Sequence, residues 1–259
     1  MSAASRTGWN LLMGITVLFM LGPVMLVVLF SFASNQLLGF PLGDLTLDWY
    51  RELWVDDEFR RAFWNSLKVA GPVCLISTLV GSAAAFAIAR LRGIWPGLAT
   101  NLLCLPLMLP PLVLAIALLS FYTQVAGIPL GLATVIASQL VVTQPLVVLV
   151  VAARMARFDY TLIDSARDLG ADAFTIFAKV TFPIVRSAVI GAALMAASIS
   201  LDDFILTFFT IGTGNTLPTF IWSKIRTTLD PSINAVGTII LLLTMISAAL
   251  AMWVSRYRG

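Results

Sequence analysis

Six runs of mostly apolar residues, each long enough to cross a bilayer as a helix, restrict what this chain can become. They fall at about 9–33, 63–89, 98–121, 129–153, 184–209 and 233–254. At 1.5 Å of rise per residue, roughly 20 residues cross about 30 Å of hydrocarbon. Backbone N–H and C=O groups find no water there, so each run must bond to itself as a helix. The rest of the composition agrees: charged residues make up 11% of the chain, against roughly 25% in soluble domains. The mean hydropathy is +0.97. That polar cover is too thin for a soluble enzyme, a disordered chain or a secreted disulfide scaffold. The predicted fold is all-α, a single membrane domain over 1–259 with six transmembrane helices.

An even number of spans puts both termini on one side. Assigning that side to the cytoplasm places ten basic residues inside, at Arg6, Arg90, Arg92, Arg154, Arg157, Arg167, Lys179, Arg186, Arg256 and Arg258. Six stay outside: Arg51, Arg60, Arg61, Lys68, Lys224 and Arg226. Basic residues collect on the cytoplasmic side, so both termini are predicted cytoplasmic. The first run exceeds the apolar core of a signal peptide and carries one basic flank, Arg6, so it reads as a retained helix. The outer loop 34–61 mixes Trp49, Tyr50 and Trp54 with charges, which suits the membrane interface. The chain has no histidine, which excludes HExxH zinc chemistry and a Ser–His pair, and with them an intramembrane hydrolase. No metal site is expected. Cys74 and Cys104 lie in apolar runs and read as small buried hydrophobes.

The inner stretch 154–183 carries the most information. Asp159 is placed to cap a helix on which Leu162, Ile163, Ala166 and Leu169 recur at three- and four-residue steps. Gly170 supplies the stop, because it accepts the left-handed conformation that ends helices. Asp172 can cap a second helix bearing Phe174, Phe177 and Val180, and Pro183 opens the fifth span. Periodicity alone is satisfied by a loop that lays its own apolar stripe on the membrane surface.

Spacing adds more. Asp164-Ser165-Ala166, then Gly170, Val180 and Phe182-Pro183, resembles the EAA loop of ABC importer permeases: Glu-Ala-Ala, three residues, Gly, nine residues, Ile, one residue, Leu-Pro. Glycine and proline match in register; Asp164, Ser165, Val180 and Phe182 are the departures. Asn65-Ser66-Leu67 looks like that family's NSL signature. Ser200-Leu201-Asp202-Asp203-Phe204, Phe208-Phe209, Thr216-Leu217-Pro218 and Pro231-Ser232-Ile233-Asn234-Ala235 look like the C-type permeases of spermidine/putrescine importers. The resemblance implies a type I importer permease in a bacterial inner membrane. Its 154–183 loop would be the coupling helix that docks on an ATPase, through Asp159, Asp164, Ser165, Ala166, Leu169, Gly170 and Pro183. It implies a second permease, two ATPase subunits and a periplasmic solute-binding protein as partners, with a small organic amine as substrate. No GxxxxGK[ST] phosphate loop occurs here, so no cofactor is expected in this chain, and ATP and Mg would sit on the ATPases. The subunit would be a transporter component and not an enzyme.

Three further features concern the path. Pro106, Pro110 and Pro111 must bend or break the third span. Gly81-Ser82-Ala83-Ala84-Ala85 offers a small-residue face for close packing. Asp202 and Asp203 stand about 19 residues beyond Pro183, roughly 28 Å along a straight helix, and apolar sequence continues after them. Carboxylates there need a water-filled cavity or a cation; helix termination or a salt bridge to another subunit would also hold them. For an amine, Asp202 and Asp203 offer charge partners, and Phe204 and Phe208 offer cation–π faces. Gln139, Thr143 and Gln144 could line the same interior or join helices. An ATPase-independent carrier or channel for organic cations is the alternative.

Overall fold

The apolar runs become helices in a computed structural model describing residues 3–35, 43–227 and 231–256. Twelve α-helices occur among those residues: α1 (Ala3–Phe30), α2 (Asp48–Val55), α3 (Asp57–Ile88), α4 (Trp95–Met108), α5 (Pro111–Ser120), α6 (Leu132–Met155), α7 (Thr161–Asp168), α8 (Ala173–Ile176), α9 (Phe182–Asp202), α10 (Ile205–Thr210), α11 (Leu217–Thr227) and α12 (Ser232–Arg256). Among the described residues five helices are long and apolar enough to cross a membrane, and six spans result if the bent pair of α4 with α5 counts as one. Arg258, counted above for orientation, lies outside the described residues.

The chain divides into two compact units. The first takes Met1–Arg60 and Phe220–Leu242. Its outer loop is folded, not loose. Trp49 donates its indole N–H to the Ala33 carbonyl at 2.7 Å, and Tyr50 and Ser31 share a hydroxyl bond of 2.8 Å. Asp56 accepts the Glu58 and Phe59 N–H groups that open α3 and pairs with Lys224 at 3.2 Å. Partial burial raises its pKa, but those bonds outweigh it and hold the carboxyl below its ordinary range. Along α1, Gly8–Phe30 has no buried residue, so its apolar surface is left for lipid or another chain.

The second unit takes Arg61–Thr219 and Leu243–Gly259. Its centre is the packing of α9 on α6, with Val147, Val151, Val185, Ala192 and Ala196 buried. The predicted small face on α3 does its work there: a Cβ on Gly81 would come within 2.9 Å of the Val147 side chain. The predicted break in span three is a 91° bend between α4 and α5. Leu109 and Pro110 are extended, as residues that precede proline must be.

Two expectations need correction. The fifth span does not run over 184–209. It begins upstream, as a continuous helical run from Ala173, and stops at Asp202. A π-helical turn over Phe177–Thr181 stands immediately before Pro183, where a missing N–H disturbs the regular ladder. The second concerns the cysteines, which are half-buried free thiols and not buried ones. Cys74 donates to the Ala193 carbonyl at 3.2 Å.

Candidate functional site

Two constellations hold the residues singled out from the sequence, and both belong to the second unit. The first is the hairpin of α7 and α8. Asp159 is not the helix cap: α7 starts at Thr161, and the Asp159 carboxylate instead accepts the Thr161 N–H at 3.0 Å and its hydroxyl at 2.7 Å. The aspartate thus forms a turn ahead of the helix, because its short side chain reaches the backbone two residues on. Those bonds hold its carboxyl below the ordinary range. Asp172 does cap α8, accepting the Thr175 N–H at 3.1 Å, and is lowered for the same reason. Gly170 has φ +81°, the left-handed conformation that the stop requires.

The hairpin presents what it would ordinarily hide. Leu169 is 89% exposed and Phe174 76% exposed. Asp164 and Ser165 are exposed and Ala166 is half-buried. Asp164 pairs with Arg167 one turn on, at 3.3 Å. Pro183 lies in the first turn of α9. The base of the hairpin is tied down: Tyr160 donates to the Ala89 carbonyl at 3.4 Å, and Arg154 donates twice to the Ile184 carbonyl.

The second constellation is a polar hub where α9 ends. Gln139 on α6 donates to Asp203 Oδ2 at 3.2 Å, to Thr207 Oγ1 at 3.0 Å and to the Ser200 carbonyl at 3.4 Å. Ser200 Oγ donates back to Gln139 Oε1. Thr207 gives Asp203 Oδ2 both its N–H, at 2.9 Å, and its hydroxyl, at 2.8 Å. Asp203 therefore ends one helix and starts the next, and its charge is met by three donors. Around the hub, Ser77 bonds Thr143 at 2.6 Å and Tyr122 bonds Ser138 at 3.1 Å. Gln139 and Thr143 thus join helices. Gln144, for which the sequence leaves the same two roles open, is half-buried.

The two neighbouring aspartates, indistinct in the sequence, differ sharply here. Asp202 is exposed and has no hydrogen bond or ion pair among the described residues. Phe204 and Phe208 stack at 5.3 Å between ring centroids on the adjoining turn. Another functional-looking pair is Asn65 and Ser66. They lie inside α3, not at its start, and bond the backbone of Asn215 and Leu217 at 3.0 and 2.9 Å.

Residues 77–257 match the family described as binding-protein-dependent transport system inner membrane component. The chain belongs to that family. It is a permease subunit of an ABC importer, a multi-pass membrane protein, and the carrier, channel and hydrolase alternatives fall away. Among its curated relatives, the spermidine/putrescine transport system permease protein PotC of Escherichia coli (strain K12) is 30% identical over 90% of this chain and 88% of its own length. The putrescine transport system permease protein PotI of the same strain is 32% identical over 91% of this chain and 86% of its own. Among solved structures, a bacterial alginate ABC transporter, crystallised with its alginate pentasaccharide-bound periplasmic protein, superposes with a TM-score of 0.75. At 15% identity over 98% of this permease and 95% of that chain, the likeness concerns the fold. The family's own description makes transport depend on a binding protein.

Proposed function

We propose that this permease carries polyamines, spermidine or putrescine, or a related small organic amine, inward across a bacterial inner membrane. Both termini face the cytoplasm, which puts the α7–α8 hairpin on that side with Arg154, Arg157, Arg167 and Lys179. A second permease completes the path, two ATPase subunits hold the ATP and Mg, and a periplasmic binding protein delivers the amine. ATP binding draws the ATPases together. The two hairpins move with them as rigid levers, and the cavity opens outward. Hydrolysis returns it. This chain forms no covalent bond with its cargo.

The observation that carries the amine reading is the asymmetry of the aspartate pair. Asp203 is consumed by Thr207 and Gln139, whereas Asp202 stays exposed, two residues before Phe204 of the Phe204–Phe208 ring pair. A carboxylate at the end of a spanning helix, without a partner in its own chain, is open to water or to a cation. An ammonium group supplies charge-assisted hydrogen bonds, and the phenyl faces add cation–π attraction. The permeases named for spermidine and putrescine support the same cargo.

Uptake of labelled spermidine and putrescine by vesicles holding the whole importer tests it. Asp202→Asn should cut uptake about tenfold, the loss of one charge-assisted contact, while Asp202→Glu retains most of it. Uptake unchanged in Asp202→Asn would remove the amine reading and leave the importer reading standing.

A further inference from the structure

Beneath the hairpin lies a cavity of about 600 Å³ that shares Asp164 with the coupling residues and none of its residues with the hub. Arg90 and Arg92, just past the end of α3, face it together with Arg167 and Asp164 of α7. Three arginines and one carboxylate therefore line it, and Arg167 already holds that carboxylate at 3.3 Å. Arg90 and Arg92 are exposed and have no partner among the described residues. Arginine's planar fork matches the oxygens of a phosphate.

Part of the lining is apolar. Phe86 and Phe177 meet edge to face there, with ring centroids 5.6 Å apart. Buried Ile88 lies two residues before Arg90, so the cavity opens where the apolar length of α3 gives out. Inorganic phosphate has no use for a phenyl wall, and an acyl chain has none for two free arginines. A phospholipid with a net negative headgroup uses both.

We propose that this cavity binds the headgroup of an anionic phospholipid. Arg90 and Arg92 hold the phosphate, and the glycerol backbone lies along Phe86 and Phe177. The proposal needs α3 to span the membrane with this end on the cytoplasmic side, as under the proposed function, and it is independent of the cargo. Basic pockets at helix ends on the cytoplasmic side have the chemistry for such lipids.

Native mass spectrometry of the full-length purified chain, with phosphatidylglycerol and phosphatidylcholine supplied together, provides the test. The expected result is about a tenfold preference for phosphatidylglycerol, falling with added salt. The double variant Arg90→Gln with Arg92→Gln should bring the ratio close to one, whereas Arg51→Gln on the outer helix leaves it unchanged. The double variant Arg90→Lys with Arg92→Lys keeps the charge and guards against a folding defect; it should weaken the preference about threefold by losing the fork. Equal retention of both lipids by the parent chain overturns the proposal, as does a preference that survives Arg90→Gln with Arg92→Gln. Full displacement by inorganic phosphate overturns it in favour of a simple anion site. Loss of the preference only on assembly with the other subunits overturns it in favour of a protein occupant.

Discussion

The hub at the end of α9 and the hairpin between α6 and α9 invert each other. In the hub, Ser138, Gln139, Thr143, Thr207 and Thr210 are all buried, and each makes a hydrogen bond inside the chain. In the hairpin, Leu169 and Phe174 stand almost free of the chain that carries them. Polar groups are withdrawn where lipid would leave them unsatisfied, and apolar groups are offered where water would penalise them. A withdrawn, saturated network resists rearrangement and fixes geometry. An offered apolar face on a short rigid helix asks for a partner. The hub is thus a joint that keeps α9, α10 and α6 in register, and the hairpin, under the proposed function, is a handle.

The sharpest way to break the contrast is to unsaturate the joint. Gln139→Leu strips Ser200 and Thr207 of a partner and leaves Asp203 with one donor fewer. The expected loss is about 2–4 kcal/mol, because orphaned buried groups cost more than the bond is worth. Thermal unfolding of the purified chain reads it directly. A melting temperature equal to the parent's would mean that the network is incidental.

Next in size is the turn of the handle. Gly170 at φ +81° has open space around its Cβ position, so Gly170→Val costs backbone strain and nothing else, about 1–2 kcal/mol. Helix α7 then loses its stop and its aim. Copurification of the ATPase should fall while membrane insertion is retained. A variant that still brings down its ATPase in full would show that the turn does not set the docking geometry.

Smaller still for the chain's own stability is the removal of the offered face. Leu169→Ser and Phe174→Ser together should change the melting point of the isolated chain by the equivalent of less than about 0.5 kcal/mol, since both residues are mostly exposed at home. ATPase association should nonetheless weaken. If stability falls and association does not, then Leu169 and Phe174 serve the chain's own packing and the handle is misplaced.

The handle was far more legible in the sequence than the joint. Gly170, Asp172 and Pro183 act through local backbone chemistry, and local chemistry depends on neighbours in sequence. The same holds for the bend at Leu109-Pro110. Asp159 was misassigned by one short step, since an aspartate that caps a helix and one that forms a turn before it look alike in a string of letters. The joint was opaque because Gln139 and Asp203 are 64 residues apart. Hydropathy carried the fifth span straight through Phe204-Phe209. Only the carboxylate's position at the end of α9 ends the helix there, and it also separates the roles of Asp202 and Asp203. Nor could periodicity bring Arg90 and Arg92 beside Arg167, which depends on how α7 folds back toward α3.

The faintest contrast is in acid titration. The hairpin's Asp159 and Asp172 are fully exposed, yet bonds from Thr161 and Thr175 lower both pKa values below the ordinary 3.8. A lowered folded-state pKa means that the stabilisation is complete above the ordinary value and fades as pH falls through the folded one. The turn before α7 and the cap of α8 should therefore persist at pH 5 and fray only below about pH 4. Carbonyl NMR of aspartate-labelled protein gives both midpoints. Thr161→Val should move the Asp159 midpoint back toward 3.8 and leave Asp172 where it is, since the two carboxylates answer to different threonines. A midpoint for Asp159 at or above 3.8 in the parent chain would mean that the Thr161 bonds are not held in solution. The handle would then be less firmly built than its geometry implies.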